Sequence, residues 1–472
     1  MTNENYSEHS KDHDIPDKQR ALVLQGGGAL GAYEVGVLKV LCEKLERNGH
    51  KRKDGPLFDI VAGSSMGAMN AAVLVGNVVN RNKTWKQAVD SLEDFWMNEK
   101  TGLSSTPDIS KLLDNVIKEN FSASPEAARR YYSVKYYLAN GTQNVCFIDD
   151  ERELDSKFGD RDNNNNPLKW TWYKSDPLQH SIEDCSKNDN SEKLKIATSW
   201  KDKQPRLLVI SVDVSEGKTI TFDSYHTKDD DFERGVYEGD GITIDHVMAS
   251  GTIPLFYRFK VIRGRSFYDG GFFNNTPFRE LLQTHRDYWT RVAGDIKAKI
   301  PDLDVYIVNV HPSKRNIIPS DHDGVNDRYN DITYSDRNSR YDEMVTDVIT
   351  DYNELEDTLN NSIGIIRKLK ALKNHIGNTS EGAAFQKELE RLQTMTEGTS
   401  RDLELRREKY KDSIKGKFKL NSVVRIERSN DVDPSTGREV DYSSKSNDFT
   451  HDTVKKLIKQ GEKDALKILE GS

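Results

Sequence analysis

The sequence predicts an α/β fold, because two short apolar strands each lead through a glycine-framed turn into a helix. The first strand, Ala21 to Leu24, precedes the glycine cluster Gly26 to Gly31. The second strand, Phe58 to Ala62, precedes the turn Gly63 to Gly67, and small or apolar residues then continue to Val75. A helix so rich in small residues packs closely on a sheet, so the two strand ends are expected side by side.

The turn Gly63 to Gly67 has the strand, sharp turn and helix context that a nucleophile elbow needs. Small residues on both flanks let the backbone turn sharply, which leaves Ser65 exposed at the tip. Ser65 is therefore the first candidate for covalent chemistry, with the amide of Met66 facing a bound substrate. A purely structural turn stays open as the alternative, because Gly and Ser are frequent in loops.

The glycine cluster Gly26 to Gly31 has two interpretations. Its spacing fits a dinucleotide fingerprint, which receives a pyrophosphate at the helix N-terminus. That fingerprint needs an acidic residue at the end of the second strand, where this chain instead enters the turn at Gly63. No Lys-Ser or Lys-Thr pair follows the glycines, which disfavours a Walker-type phosphate loop. The second interpretation is an oxyanion hole, whose amides would act on the same carbonyl as Ser65.

Asp269 is the strongest candidate for the base that activates Ser65. It follows the segment Arg265 to Tyr268, and the glycines Gly270 and Gly271 after it let the chain turn beneath a neighbouring loop. A plain Asp-Gly turn is common and is the alternative.

The histidines offer competing bases, since serine hydrolases usually employ one. Those in the polar leader, the charged helices and the tail are His9, His13, His375 and His451. Those nearer predicted core elements, and therefore still open as bases, are His246, His285 and His311. A histidine near a strand is more often a hydrogen-bonded structural residue.

Three motifs in this order resemble the patatin-like phospholipase family: Gly26 to Gly31, Gly63 to Gly67 and Asp269 to Gly271. The segments Ala249 to Pro254 and Gly270 to Pro277 resemble that family as well. The resemblance implies a three-layer α/β sandwich with a central, mostly parallel sheet. It also implies a Ser-Asp dyad without an intervening histidine.

Carried over residue by residue, the resemblance makes Ser65 the nucleophile and Asp269 its proton acceptor. The backbone amides that it assigns to the oxyanion hole are those of Gly26, Gly27 and Gly28, to which the elbow adds Met66. The glycines that support the motifs are Gly31, Gly63, Gly67, Gly270 and Gly271. Many family members carry Arg or Lys where this chain has Leu30, so a cation that would hold a phosphate headgroup is missing at that position.

The composition favours an enzyme that works on a membrane surface rather than within it. Mean hydropathy is −0.77, 31% of residues are charged, and no stretch reaches the roughly 20 apolar residues of a membrane span. A net charge of −8 argues against nucleic acid and against strong attraction to anionic lipid. Three cysteines without metal-ligand spacing are typical of a reducing compartment. We expect a cytoplasmic protein that contacts membranes peripherally, through apolar side chains.

The domain organisation follows from shifts in composition along the chain. Residues 1–18 lack an apolar segment and are expected to form a disordered leader. Residues 19–320 carry the predicted hydrolase core, in which 85–204 forms either a cap over an acyl pocket or an accessory helical layer. Residues 336–413 are a charge-rich helical insertion, and 421–470 return to the core as a strand and a helix.

The insertion 336–413 is predicted to be an antiparallel helical hairpin. Its apolar stripe comprises Val345, Val348, Tyr352, Leu355, Leu359, Ile366 and Leu369, followed by Phe385, Leu389 and Leu392 after a break. Such a short stripe usually packs within its own chain, but a dimerisation arm, a partner-binding projection or a lid stays open. Homo-oligomerisation through these helices is therefore one expectation.

Taken with the resemblance, the residues predict a serine acyl hydrolase that cleaves lipid esters through an acyl-enzyme on Ser65. This chemistry needs neither a metal nor an organic cofactor, so calcium independence is expected. Two alternatives stay open. One is a catalytically silent lipid-binding or scaffold protein, and the other is an acyltransferase that uses the same pair of residues.

Overall fold

The computed structural model describes residues 15–47, 55–105, 125–142, 144–148, 173–225, 241–319, 322–371, 379–410, 414–432 and 445–471. None of the helices in these ranges is long and apolar enough to cross a membrane. The predicted leader lies outside them except for residues 15–18. The polar turn 162–167, Trp170 and Trp172 of the predicted cap also lie outside them.

Strands and helices alternate along most of the described chain. The strands are Lys18–Leu24 (β1), Ile60–Ser64 (β2), Gly141–Thr142 (β3), Cys146–Ile148 (β4), Tyr173–Lys174 (β5), Lys195–Ile196 (β6), Arg206–Asp213 (β7), Lys218–Asp223 (β8), Ile242–Thr243 (β9), Lys260–Ile262 (β10), Arg265–Asp269 (β11), Asp302–Asn309 (β12) and Leu420–Glu427 (β13). The α-helices are Ala32–Arg47 (α1), Met66–Val79 (α2), Trp85–Met97 (α3), Pro125–Asn140 (α4), Asp176–Ser186 (α5), Ile244–Ser250 (α6), Phe278–Ala293 (α7), His322–Tyr334 (α8), Ser339–Ala371 (α9), Ser380–Lys409 (α10) and His451–Glu470 (α11). Short 3-10 helices cover Gly28–Gly31, Gly270–Phe272 and Lys445–Asn447.

A central sheet of eight of these described strands forms the core, in the order β10-β11-β7-β2-β1-β12-β13, with β8 also paired to β7. Its centre is parallel, since Leu24 of β1 lies opposite Gly63 of β2, and Gly63 lies opposite Val209 of β7. Strands β8, β10 and β11 are added in antiparallel orientation. Every residue of β2 and β7 is buried, as expected for parallel strands covered on both faces. The predicted α/β fold with a central, mostly parallel sheet is confirmed.

The apolar and aromatic run Phe256 to Ile262 predicts a strand, and this strand is shorter in the structure. The segment Phe256 to Ile262 is extended only from Lys260, where β10 begins. Leu255 has a φ of 70°, and the carbonyl of Ile253 accepts hydrogen bonds from the amides of Phe256 and Tyr257. A tight turn therefore replaces the first half of the predicted strand, since the amides of Phe256 and Tyr257 bond within the turn and not to a neighbouring strand.

The described chain divides into two compact units. The larger unit comprises the described residues of 20–281, 305–339 and 423–471, and the smaller comprises those of 15–19, 282–304 and 340–422. Within the smaller unit, α9 and α10 form an antiparallel pair. Ser400 contacts Asn360 at 3.4 Å, and Arg367 lies 3.8 Å from Glu397. The helical hairpin expected from the sequence is thus present.

The apolar stripe predicted on this hairpin is correct in part, since Ile366 and Leu389 are buried, but other members of the stripe are exposed. Val348 and Leu355 are 58% and 50% exposed. In the first half of α9 the buried face is offset by one residue from the stripe and includes the polar residues Asn353 and Glu356, both of which bind Arg407 of α10. A hydrophobic pattern cannot reveal a face whose burial is stabilised by an internal ion pair and hydrogen bonds.

Candidate active site

The pairing of three strands brings two distant sequence motifs together. On β7, Ile210 lies opposite Ser64 of β2, and the next residue, Ser211, lies opposite Asp269 of β11. Because β8 occupies the other edge of β7 along these positions, β2 and β11 must share one edge and meet end to end. Ser65, which follows β2, and Asp269, which ends β11, therefore converge.

Ser65 and Asp269 are in direct contact. The Ser65 hydroxyl donates a hydrogen bond to Asp269 Oδ2 at 2.6 Å, and the amide of Gly271 donates to Oδ1 at 2.7 Å. Burial raises the pKa of the Asp269 carboxyl to about 6, while the hydrogen bonds from Ser65 and Gly271 act in the opposite direction. This carboxylate is suited to take and return a proton near neutral pH.

The backbone at Ser65 has the strained geometry of a nucleophile elbow. Its φ of 53° and ψ of −127° are unfavourable for a residue with a side chain. The Ser65 amide donates to the hydroxyl of Ser250 at 2.9 Å, and that hydroxyl donates to the carbonyl of Ile210 at 2.5 Å. The turn also packs closely against β1. A Cβ added to Gly67 would lie only 2.4 Å from the carbonyl oxygen of Leu24, so this position has no room for a side chain.

The glycine cluster lies against Ser65. A Cβ added to Gly26 would lie 2.8 Å from the Cβ of Ser65. The Gly26 amide donates to the carbonyl of Asn275 at 3.2 Å, and the Asn275 side chain donates back to the Gly26 carbonyl at 2.9 Å. The Gly26 amide is therefore engaged and is not free to bind an oxyanion. Within the described part of the chain, the amides of Gly27, Gly28 and Met66 have no such acceptor.

A cavity of about 360 Å³ opens over Ser65 and Asp269. Much of its lining is apolar or aromatic, from Met69, Tyr137, Val145, Leu178, Met248, Ile253, Phe256, Tyr257, Phe272 and Phe449. Tyr137, Val145 and Leu178 belong to the segment 85–204, for which a cap and an accessory helical layer both stay predictions. An apolar lining of this size suits an acyl chain.

The histidines left open by the sequence have different environments. The Nδ1 of His246 accepts from the Thr243 amide at 3.0 Å, and burial lowers its pKa to about 4. His285 Nε2 hydrogen-bonds the carbonyl of Pro301 at 2.8 Å. His311 alone of these three lines the cavity, yet the contact partner of Ser65 is a carboxylate and not an imidazole.

Two residues of the site have roles that the sequence pattern does not predict. Ser250 holds the elbow, and Asn275 holds the glycine cluster. Both lie inside segments that resemble the family, Ala249 to Pro254 and Gly270 to Pro277. That resemblance is the feature of the sequence that points to these two residues. The hydrogen-bond partner of each becomes visible only in three dimensions.

Comparison with known proteins adds independent information. A family model described as a patatin-like phospholipase matches residues 22–282, which contain all three glycine motifs. No curated protein gives a significant match. Among solved structures, the chain is similar to VipD from Legionella pneumophila, with 12% sequence identity and a TM-score of 0.31, covering 97% of this chain and 67% of that one.

Proposed function

The chain belongs to the patatin-like phospholipase family, whose model covers residues 22–282 of 472, and from that premise we propose that it hydrolyses lipid esters through Ser65 and Asp269. The observation that carries the proposal is the 2.6 Å hydrogen bond from the Ser65 hydroxyl to Asp269. It lies inside a cavity whose lining is largely apolar. A nucleophile, a base and an acyl-binding surface are thus adjacent.

The proposed reaction begins when Ser65 Oγ attacks the ester carbonyl carbon and Asp269 takes the hydroxyl proton. Collapse of the tetrahedral intermediate breaks the bond to the alcohol, which leaves with the proton held by Asp269, and the acyl group stays on Ser65. Water then attacks the acyl-enzyme while giving a proton to Asp269. That proton returns to Ser65 Oγ as the fatty acid is released.

The oxyanion of both tetrahedral intermediates would be bound by the amides of Gly27, Gly28 and Met66. We leave Gly26 out of this set, because its amide already donates to Asn275. The left-handed conformation of Gly28, with a φ of 56°, lets the loop present successive amides to one side. Losing one oxyanion donor typically costs about 3 kcal/mol of transition-state stabilisation.

A fluorophosphonate probe tests the proposal against a catalytically silent scaffold. We expect covalent labelling of the wild type and hydrolysis of short acyl esters, both lost in Ser65→Ala. Ser64→Ala is the matched control, since the Ser64 hydroxyl is buried and makes no hydrogen bond to a described residue. A wild type that is neither labelled nor active would favour the scaffold.

Two features of the reaction are open to direct measurement. Because a carboxylate base and amide donors suffice, hydrolysis should survive EDTA, and a loss that calcium restores would contradict the mechanism.

Acyl transfer to an alcohol uses the same acyl-enzyme. Product analysis by mass spectrometry, on a mixed lipid extract with added glycerol, measures how the acyl group is divided between water and glycerol.

We also propose that the protein contacts membranes through a mouth patch, which consists of Ile253, Leu255, Phe256, Phe272 and Phe273. Leu255, Phe272 and Phe273 are 68%, 52% and 57% exposed. Ile253, Phe256 and Phe272 also line the cavity, so the patch continues into it. An exposed apolar surface at the entrance of a lipid-binding cavity suits a lipid surface.

Vesicle binding tests the mouth patch. Leu255→Asp should lower both vesicle binding and turnover of vesicle lipid by about 10-fold or more, since the loss of one buried leucine costs roughly 1.5–3 kcal/mol. Hydrolysis of a soluble short-chain ester should change by less than about 2-fold. Leu405→Asp is the matched control, because Leu405 is 66% exposed on α10 and does not line the cavity. Equal effects of the two substitutions would contradict the assignment.

A further inference from the structure

The cavity also has a polar wall, made of His311, Asn326, Asn330, Tyr334, Ser446 and Asn447. Asn326, Asn330 and Tyr334 are four residues apart along α8 and so share one face of that helix. The rings of His311 and Tyr334 lie 5.7 Å apart. Among the lining residues that the structure describes, none is Lys or Arg. The polar wall therefore offers amide, hydroxyl and imidazole groups to a ligand.

The protonation of His311 is fixed by its surroundings. Its Nδ1 lies 3.2 Å from Asp331 Oδ1, and Asp331 also accepts from Arg315 at 2.8 Å and from Lys445 at 3.1 Å. Although burial opposes it, the hydrogen bond from His311 and the charge of Lys445 hold the pKa of Asp331 well below its usual range. A carboxylate only accepts, so Nδ1 carries the hydrogen.

The other ring nitrogen of His311 is consequently an acceptor. Burial lowers the pKa of His311, even though Asp331 favours its charged form. The ring is therefore neutral, and Nε2 keeps its lone pair. Within the described part of the chain, no group donates a hydrogen bond to Nε2.

This acceptor lies beside the glycine cluster. A Cβ added to Gly27 would lie 3.5 Å from His311 Nε2, and one added to Gly26 would lie 2.8 Å from the Cβ of Ser65. Neighbouring Cα atoms are about 3.8 Å apart, so the nucleophile and the acceptor flank the same short piece of backbone. Ser446 packs on the next residue, Gly28, where an added Cβ would lie 2.3 Å from its carbonyl oxygen.

We infer that His311 determines substrate specificity by accepting a hydrogen bond from a free hydroxyl on the alcohol part of the ester. This rests on the proposed function, and it names the substrate class as esters of a polyol that keeps a free hydroxyl, such as a monoacylglycerol. When the acyl chain lies against the apolar lining and the ester carbonyl lies at the amides of Gly27 and Gly28, the alcohol part of the ester faces the polar wall. A hydroxyl of the alcohol can donate a hydrogen bond there to His311 Nε2, to which no described side chain donates.

The test compares 1-octanoylglycerol with its 2,3-di-O-methyl ether, which has the same acyl chain and leaving oxygen but no hydroxyl donor. The wild type should favour the free glycerol ester by about 10-fold in kcat/KM, the order expected of one hydrogen bond to a neutral partner. His311→Phe should remove that preference and leave kcat/KM for the ether within about 2-fold. His311→Gln, which keeps an acceptor oxygen, should retain part of the preference.

Controls separate this inference from the proposed function. Fluorophosphonate labelling of His311→Phe at the wild-type rate shows that Ser65 and the glycine cluster are intact, and His180→Phe is a control at an exposed histidine. Equal losses on both substrates in His311→Phe would make His311 a structural support and overturn the inference. A wild type that does not distinguish the two esters would overturn it without any variant. If the wild type cleaves neither ester and is not labelled, the proposed function itself fails.

Discussion

Asp269 is subject to two opposing demands. In the proposed mechanism it must be ionised to accept the proton of Ser65, yet burial raises its pKa to about 6 from an ordinary value of 3.8. A raised carboxyl pKa stabilises the folded state at low pH, and that contribution is lost as the pH rises through the folded pKa. At neutral pH the ionised carboxylate therefore opposes folding by about 3 kcal/mol. In the proposed mechanism, this loss of stability accompanies a base whose pKa lies close to neutral pH.

The same pKa predicts the pH dependence of hydrolysis. Because only ionised Asp269 accepts a proton, kcat/KM on a soluble ester should fall about tenfold per pH unit below about pH 6. Steady-state rates across about pH 4.5–8 measure this. A midpoint that disappears in His311→Phe would instead indicate a histidine base.

Ser250 is predicted to support catalysis without touching the substrate. Ser250→Ala removes the acceptor of the Ser65 amide, and an unpaired buried donor costs about 1–3 kcal/mol. The strained turn should relax, so kcat should fall about 10-fold to 100-fold with little change in KM. Ser186→Ala is the control, since its hydroxyl bonds only to the carbonyl of Ile182 within α5. A wild-type kcat in Ser250→Ala would contradict the role.

Among the elements, the sequence predicts β1, β2 and the two turns that lead from them into α1 and α2. Apolar strand runs and glycine placement are local features, which is why these strands and the turn at Ser65 are recognisable from the sequence alone. The meeting of β2 with β11 on one edge of β7 is a matter of register between segments about 200 residues apart. Family resemblance, rather than periodicity, was the basis for pairing Ser65 with Asp269.

The helical hairpin shows where pattern analysis fails. Its existence and antiparallel course follow from local helix signals, but its buried face contains polar side chains that a hydrophobic pattern assigns to solvent. The exposed residues Tyr341, Met344, Val348 and Leu355 lie along another face of α9. Homo-oligomerisation through this hairpin stays a prediction.

The buried ion pair of the hairpin should be important for stability. Glu356 and Arg407 have side chains only 2% and 6% exposed, and Glu356 also binds Lys297. Glu356→Ala leaves a buried arginine without its partner and should destabilise the smaller unit by about 3–5 kcal/mol. Glu354→Ala is the matched control, because its pair with Lys419 is exposed. Denaturant unfolding followed by circular dichroism checks this, and similar midpoints for both variants would contradict it.

For the whole molecule, the net charge differs in sign from the charge of one segment near the cavity. The chain carries a net charge of −8, yet the segment from Ile253 to Arg265 contains four cations and no acid. This segment carries part of the mouth patch. In the structure Arg265 is paired with Asp213 and Glu216, so the cations of this segment do not by themselves predict attraction to anionic lipid. The cytoplasmic location with peripheral membrane contact stays a prediction.

The division into two units is another whole-molecule property that the sequence only partly predicts. Composition shifts reveal the charged hairpin, but residues 282–304 belong to the smaller unit rather than to the predicted core. The boundary at 281–282 falls inside the helix Phe278–Ala293. A boundary within one continuous amphipathic helix leaves no linker and no change of composition to detect.

The central claim is that Asp269 takes the proton of Ser65, and the burst of acylation by a short-chain p-nitrophenyl ester in Asp269→Asn tests it most directly. The rate of the burst should fall by roughly 10²–10⁴-fold, the usual contribution of a general base. The melting temperature should rise, because a buried charge is removed. A burst within about 2-fold of the wild-type rate, in a variant that remains folded, would contradict the claim.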